Sequence, residues 1–311
     1  MERKSNWKGW LYLSPALILI TLFTLFPIIN TFIISFMKDY NYSSGANQGF
    51  TFENYGIVLS LTPLVPGEDQ TRMTEFIRYA LPNTLLITFV TVPISVFLSL
   101  MIAVGLNRIK KVRSFFQTIF FLPYVTNTIA VGMVFAQIFS STGLFNSIFG
   151  LDEFHWLEVG QTTWGRSMFL ICLYVIWTAL PFKILIFASA LQNIDKQYYD
   201  AARIDSSPRW KTDLKIVFPM ISPQILYVSV TSFISGFKEY NAIIGLFNRS
   251  YTSDGNLSDL YTVVYYIYDQ IQSDSAVRHL DYAAAGSVIL FVIILIFTLI
   301  QMQVSKKRVH Y

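Results

Sequence analysis

The sequence predicts an all-α integral membrane bundle of six transmembrane helices, with the N-terminus and the C-terminus both cytoplasmic. Three observations lead to this fold class: an apolar composition, six long apolar stretches, and an alternation of basic and base-poor connections. Apolar residues make up 53% of the 311 residues and charged residues only 14%, and the mean hydropathy is +0.48. A soluble domain carries about 25% charged residues. The 27 phenylalanines and 18 tyrosines add more apolar surface than one soluble core could bury.

Six apolar stretches are long enough, or nearly long enough, to cross a bilayer. A spanning helix needs about 20 apolar residues to cross about 30 Å of hydrocarbon. The first and last stretches are the clearest, because residues 17–25 are apolar apart from two threonines and residues 287–300 carry no charge. The predicted spans cover residues 10–37, 80–106, 114–139, 167–191, 223–247 and 283–304.

The connections between these stretches alternate in lysine and arginine content, and this alternation predicts the orientation, because basic connections stay on the cytoplasmic side. Residues 38–79, 140–166 and 248–282 are poor in basic residues for their length. The other connections and both ends of the chain are basic. Their basic residues are Arg3, Lys4 and Lys8; Arg108, Lys110, Lys111 and Arg113; Lys196, Arg203, Arg209, Lys211 and Lys215; and Lys306, Lys307 and Arg308.

The sequence predicts neither a metal site nor a cofactor site in this chain. Cys172 is the one cysteine and lies in an apolar stretch, which excludes an intrachain disulfide and a cysteine-based metal site. The three histidines, His155, His279 and His310, lack the spacing of metal ligands. No basic patch interleaves with aromatic residues in a soluble stretch, so nucleic-acid binding is not predicted either.

The basic connection after the fourth stretch carries the most specific motif. Asp200, Ala201 and Ala202 are followed after three residues by Ser206, and after nine more by Ile216 and then by Phe218 and Pro219. The small side chains would let a partner approach closely, and the carboxylates of Asp200 and Asp205 could pair with arginine. At these residues the chain resembles the permeases of binding-protein-dependent ABC importers, whose signature reads Glu-Ala-Ala, three residues, Gly, nine residues, Ile, one residue, Leu-Pro. The departures are Asp200 for Glu, Ser206 for Gly and Phe218 for Leu.

The resemblance covers residues 80–304 and is sharpest with the carbohydrate branch of these importers. Trp177 and Pro181 in the fourth stretch, Phe237 to Asn241 in the fifth, and Asp281 to Ala285 at the start of the sixth resemble that branch. The ending resembles the permease type that is related to the larger maltose permease subunit. Residues 1–37 would then be the cytoplasmic N-terminus and first helix, 38–79 an outer loop, 80–304 the permease core with a cytoplasmic coupling loop at 192–222, and 305–311 a cytoplasmic tail.

The resemblance also implies a function and a set of partners. The chain would be a permease subunit, multi-pass in a bacterial inner membrane and in contact with lipid, that moves a sugar or oligosaccharide into the cytoplasm. Its partners would be a second homologous permease, two ATPase subunits that hold ATP and Mg, and an extracytoplasmic solute-binding protein. The coupling loop would form a short helix that docks in a cleft of the ATPase, and its candidate residues are Tyr199, Asp200, Ala201, Ala202, Asp205 and Ser206.

Polar residues in the fifth stretch indicate a candidate substrate pathway. Ser232, Ser235, Gly236 and Glu239 have the spacing of one helix face, and Tyr240 follows them. A stripe of small and polar residues suits a pathway, but small residues at a close contact between helices explain it as well. The stripe coincides by motif position with the sugar site of the maltose permease that the chain resembles.

The fourth stretch contributes the other candidate pathway residues. Trp177 and Phe182 could stack on a sugar ring, and Thr178 could bind a sugar hydroxyl. Lys183 has three alternative roles: an ion pair with Glu239, an extended side chain that reaches the cytoplasmic interface, or contact with an anionic substrate. The last role would make the substrate an acidic, uronate-containing oligosaccharide.

Two other classes of function receive little support. An ion-driven secondary transporter often contains inverted repeats, which this sequence does not show, and it would leave the 200–219 motif unexplained. A membrane enzyme would need catalytic groups, and Lys238 and Glu239 stand without a nucleophile–histidine arrangement. The chain also lacks a Gly-x-x-x-x-Gly-Lys phosphate-binding loop, so it is not predicted to be an enzyme.

Overall fold

The computed structural model describes residues 7–41, 44–61, 75–109, 113–151, 154–158, 161–247, 258–272 and 279–306. These residues are nearly all helical, with one isolated bridge between Met37 and Phe50 and no strand, which confirms the all-α class. The helices, in chain order, are α1 (Trp7–Ile34), α2 (Glu53–Val58), α3 (Phe76–Arg108), α4 (Arg113–Val125), α5 (Thr128–Ile138), α6 (Leu144–Phe149), α7 (Trp164–Gln192), α8 (Lys196–Ile204), α9 (Arg209–Met220), α10 (Ser222–Phe237), α11 (Asn241–Phe247), α12 (Val263–Gln272) and α13 (Leu280–Lys306).

Four of these helices are long and apolar enough to cross a membrane, and a bent pair adds a fifth candidate within the described residues. The four are α1, α3, α7 and α13, which match the first, second, fourth and sixth predicted stretches. The pair is α9 and α10, which meet at a bend of 71°. Part of the predicted orientation rests on Arg3, Lys4, Lys110, Lys111, Lys307 and Arg308, which lie outside the described residues.

The third and fifth predicted stretches are broken rather than continuous. The third divides into α4 and α5, and Asn127 caps α5 by accepting hydrogen bonds from the N–H groups of Ile129 and Ala130 at 2.9 and 3.2 Å. The fifth divides into α10 and α11, where Glu239 Oε1 accepts from the N–H groups of Tyr240 and Ala242 at 3.1 and 2.9 Å. Each side chain satisfies backbone donors that would otherwise be costly in apolar surroundings.

Three prolines follow a widened helical turn, whereas Pro15, Pro93 and Pro181 lie inside regular α-helix. A proline has no N–H, and its ring clashes with the carbonyl four residues earlier. Before Pro27, Pro82 and Pro219 that carbonyl belongs to a π-helical turn, whose looser winding relieves the clash. These turns are Thr21–Leu25, Phe76–Ala80 and Asp213–Val217.

The chain divides into two compact units. The first contains Met1–Phe76 and Tyr266–Val292, and the second contains Ile77–Tyr265 and Ile293–Tyr311. In the first unit, α2 is fastened to the end of α1 by Asn54, whose Nδ2 donates to the carbonyls of Ser35 and Met37 at 3.1 and 2.8 Å. No residue of α1 from Trp7 to Ile34 is buried in the single chain.

The second unit is built around α3, α7 and α10, which pack against one another. One group of buried residues, called the core cluster below, joins these helices to α9. It consists of Leu100, Ala103, Phe187, Ala188, Ala190, Leu191, Ile194, Val217, Ile221 and Val228. Elsewhere in this unit α5 and α11 cross at two glycines: a Cβ on Gly132 would lie 2.6 Å from the Gly245 Cα.

Candidate functional site

The second unit contains a half-open cavity of ≈ 330 Å³ between α3, α7 and α10, beside the break between α4 and α5. This volume lies at the lower end of the range for small-molecule pockets, about 300–1,000 Å³. The lining residues are Thr91, Val92 and Ser95 from α3; Tyr124, Thr128 and Val131 from α4 and α5; Val175, Thr178, Ala179, Phe182 and Lys183 from α7; and Thr231, Ser232, Ser235, Gly236 and Glu239 from α10 and its end.

Most of the candidate pathway residues lie together in the wall of this cavity. They are Thr178, Phe182, Lys183, Ser232, Ser235, Gly236 and Glu239. The other two candidates are placed elsewhere. The Trp177 ring packs against Phe135 at 5.4 Å between centroids, and the Tyr240 ring lies 6.4 Å from that of Tyr265.

The contribution of α3 was missed by the sequence analysis, although the sequence contains a signal for it. Thr84, Thr88, Thr91, Ser95 and Ser99 are spaced by three or four residues, so they share one helix face, and all are buried. Thr91 and Ser95 bring hydroxyl groups to the cavity. A hydroxyl stripe in an apolar helix is the same type of signal that identified the face of α10.

Aromatic rings form another part of the wall. The rings of Tyr124 and Phe182 are stacked, with centroids 5.6 Å apart and planes inclined by 16°. A flat aromatic surface beside several hydroxyl groups fits a sugar, whose ring presents apolar C–H faces and whose rim presents alcohols.

The charged residues among those lining the cavity are Lys183 and Glu239, and they do not form an ion pair with each other. Lys183 is only 6% exposed, and its Nζ donates to Ser95 Oγ. Glu239 instead holds the break before α11 through the backbone donors described above. The first of the three alternatives for Lys183 is therefore not realised in this structure. Its burial also argues against the second, because an extended side chain would reach a polar interface.

Gly236 is both a lining residue and a close contact between helices. A Cβ at this position would lie 3.0 Å from Thr88 Cγ2 and 3.3 Å from Val92 Cγ2 of α3. The pathway and packing explanations of the α10 stripe therefore apply together, because the helices must approach closely to shape the cavity wall.

The motif at residues 200–206 forms the end of α8 and the turn after it. Asp195 caps the start of α8 by accepting from Gln197 N–H at 3.0 Å. Asp200 and Ala201 are exposed, whereas Ala202 is buried at 5% exposure and Tyr199 packs against the core cluster. The two alanines of the motif therefore have different surroundings: Ala202 faces its own chain and Ala201 faces outward.

Ser206 adopts the left-handed conformation for which the signature has glycine. Its φ is +52°, its N–H donates to the Arg203 carbonyl at 3.0 Å, and Ser207 N–H donates to the Ala202 carbonyl at 2.9 Å. This pair of hydrogen bonds is a Schellman motif, whose left-handed residue is usually glycine. Ser206 thus makes a sharp turn at the position where the signature has glycine, with backbone strain that glycine would avoid.

The known proteins that this chain resembles are membrane components of transport systems. Residues 95–310 match the family described as the inner membrane component of binding-protein-dependent transport systems. The arabinooligosaccharides transport system permease protein AraP of Bacillus subtilis is 31% identical, over 95% of this chain and 88% of its own length. The lactose transport system permease protein LacF of Rhizobium radiobacter is 26% identical, over 99% and 97%.

A solved structure has the same fold over nearly the whole chain. It is a bacterial alginate ABC transporter in complex with an alginate pentasaccharide-bound periplasmic protein. The match covers 98% of this chain and 96% of the other, with a TM-score of 0.78 and 22% identity. At that identity the likeness establishes the fold alone.

Proposed function

This chain belongs to the family of binding-protein-dependent transport system inner membrane components, and from that premise we propose that it carries a sugar or oligosaccharide into the cytoplasm. It is a permease subunit of an ABC importer and a multi-pass protein of a bacterial inner membrane. The single observation that supports the pathway is a cavity with polar side chains in its wall, set among long apolar helices. Hydroxyl groups, stacked rings and two helix breaks meet at that cavity.

The proposed fold of the chain in the membrane is a bundle of six transmembrane spans. In it, α4 and α5 together form the third span and α10 with α11 forms the fifth. Broken helices beside a cavity are common in transporters, and here the side chains of Asn127 and Glu239 accept from the N–H groups at the two breaks. Both termini lie in the cytoplasm, the segment 38–79 lies outside, and α8 belongs to the cytoplasmic loop at 192–222.

The proposed assembly contains four kinds of subunit. A second homologous permease completes the pathway, and the unburied surface of α1 supports a role for that helix in contact with lipid or with this partner. Two ATPase subunits supply the energy, with ATP and Mg bound on them. A solute-binding protein delivers the sugar from outside. The exposed face of α8, with Asp200 and Ala201, docks on one ATPase.

Gly236→Leu tests the pathway. The leucine side chain would collide with Thr88 and Val92, and it would occupy space beside the cavity that Gly236 leaves open. Overpacking of this kind costs about 1–3 kcal/mol, and we expect uptake to fall by about tenfold or more. Uptake of radiolabelled arabinooligosaccharides and lactose is measured in proteoliposomes that contain the complete importer and its binding protein.

The matched control is Gly105→Leu in α3, because a Cβ at Gly105 meets no atom within 4 Å. This variant should retain uptake, and both variants should retain basal ATP hydrolysis. Full uptake by Gly236→Leu would remove the cavity from the pathway. Absence of uptake by the wild-type importer of these neutral sugars and also of the acidic sugars named below would refute the proposed function itself.

A further inference from the structure

Lys183 is the feature of the cavity that sugar transport alone does not explain. Neutral sugars can be bound by hydroxyl groups and aromatic rings, which the wall supplies through Thr178, Ser232 and the Tyr124–Phe182 pair. A buried ammonium group adds nothing that a neutral donor could not provide, and its burial is costly unless a counter-charge compensates. A group of this kind at membrane depth is therefore a functional candidate by default.

Among the residues that the structure describes, none forms an ion pair with this ammonium group. Ser95 Oγ accepts a hydrogen bond from Lys183 Nζ but is neutral. Glu239 is the one carboxylate among the lining residues, and it makes no ion pair with Lys183. Its Oε1 is already engaged by the N–H groups of Tyr240 and Ala242 at the start of α11. The positive end of that helix offsets part of the Glu239 charge, which lowers its repulsion of a second anion in the cavity.

We propose that the cavity binds an acidic sugar, and that Lys183 is the residue that selects its anionic group. This inference rests on the proposed function and names its substrate class. The sugar acid would place its carboxylate against Lys183 Nζ, in place of or beside the Ser95 hydroxyl. Its ring alcohols would face Thr91, Thr178 and Ser232, and its apolar face the stacked rings. An ammonium group binds carboxylate and phosphate alike, so sugar phosphates share this chemistry.

The test compares acidic and neutral sugars of equal size in one preparation. The complete importer with its binding protein is reconstituted, and uptake is measured for digalacturonate, for galactobiose as the neutral match, and for glucose 6-phosphate as the phosphate probe. We expect the wild-type importer to take up digalacturonate at least about tenfold faster than galactobiose. Faster uptake of glucose 6-phosphate than of digalacturonate would identify phosphate as the anionic group.

Lys183→Met separates charge selection from structure. Methionine keeps the length of the apolar stem and removes the charge, so uptake of the acidic sugar should fall by about tenfold or more while neutral uptake is retained. Lys183→Arg should restore part of the acidic uptake. The matched control is Lys238→Met, which removes a lysine that is exposed and does not line the cavity; both kinds of uptake should persist in it.

Each outcome bears on one of the two proposals. Equal loss of acidic and neutral uptake in Lys183→Met, without rescue by arginine, would overturn the inference and leave Lys183 a structural residue. Uptake of galactobiose but not of either anion by the wild-type importer would also overturn it, and would leave the proposed function intact. If the importer that carries Lys183→Met fails to assemble, the proposal is decided by comparing the uptake of digalacturonate and galactobiose by the wild-type importer.

Discussion

Ser206 carries more backbone strain than its neighbours, because it ends α8 in the left-handed conformation. A left-handed φ costs an ordinary L-residue about 1–2 kcal/mol, against about 0.5–1 kcal/mol of chain entropy for glycine. We therefore expect Ser206→Gly to stabilise the folded chain by about 0.5–1 kcal/mol, measured by thermal denaturation of the purified permease complex. Ser207→Gly is the control, because Ser207 is not among the described residues with positive φ and should gain nothing. Equal stabilisation by both variants would contradict the argument.

The residues of the cavity were predictable from sequence where a polar group interrupts an apolar stretch. Lys183, Ser232 and Glu239 stood out for that reason and do line the wall. The hydroxyl face of α3 could have been found by the same rule. Trp177 was a weaker candidate because an aromatic side chain in an apolar helix carries no sign of its direction. Its ring packs against Phe135 instead.

At the scale of elements, the positions of the long apolar helices were largely predictable. The breaks in two of the predicted stretches, and the short helices α2, α6 and α12 in the connections, were not. Hydropathy averages over about 20 residues, so it does not register two or three residues without helical hydrogen bonds. The signals were present as single residues: Asn127 at the start of α5 and Glu239 before α11. The same two breaks bring Thr128 and Glu239 to the cavity, so the local departures from regular helix are where the candidate site lies.

The crossing of α5 and α11 depends on the absence of side chains at Gly132 and Gly245. A Cβ on Gly132 would meet backbone atoms of Gly245 at 2.6 and 2.8 Å, and a backbone cannot move aside as a flexible side chain can. We expect Gly132→Ala to destabilise the protein by about 1–3 kcal/mol, visible as a lower denaturation temperature of the purified complex.

Gly165→Ala in α7 is the control for that change, because a Cβ there meets nothing within 4 Å. It should be neutral, or slightly stabilising, since alanine favours a helix. Unchanged stability of Gly132→Ala would show that the two helices can separate without cost, and would contradict the close crossing.

Across the second unit, packed residues connect the cavity wall to α8. Ser95 and Lys183 line the cavity, and one turn further along the same helices Leu100 and Phe187 belong to the core cluster. Tyr199 of α8 packs on that cluster. Burial, and then the neighbouring Asp213 carboxylate, raise the pKa of the Tyr199 hydroxyl, while Arg108 opposes them. Arg108 of α3 and Asp213 of α9 also form an ion pair.

This arrangement gives the proposed docking helix two faces with separate roles. The inner face, with the half-buried Tyr199 and the buried Ala202, holds α8 to its own chain. The exposed face carries Ala201 and Asp200, whose carboxylate pairs with Arg203 at 3.3 Å, and it is the face proposed to dock on the ATPase. Sequence spacing identified the motif but could not divide it between the two faces, because both alanines suit a close contact equally well.

The division of faces predicts that uptake can be lost without loss of the fold. Ala201→Arg would place a long cation on the exposed face, where the proposed docking needs a small side chain beside the Asp200 carboxylate. We expect uptake and sugar-stimulated ATP hydrolysis to fall by about tenfold or more, because bulk and misplaced charge at an interface each cost several kcal/mol. Membrane insertion and the denaturation temperature of the permease pair should stay unchanged.

Two variants are the controls for this change. Ala201→Ser, which adds no charge and little length, should keep uptake. Ala202→Arg should lower stability, because Ala202 is only 5% exposed. If Ala201→Arg imports sugar at the wild-type rate, α8 does not dock on the ATPase through this face. If it lowers stability as much as Ala202→Arg, the loss of uptake is a folding defect and the two-faced account of α8 is wrong.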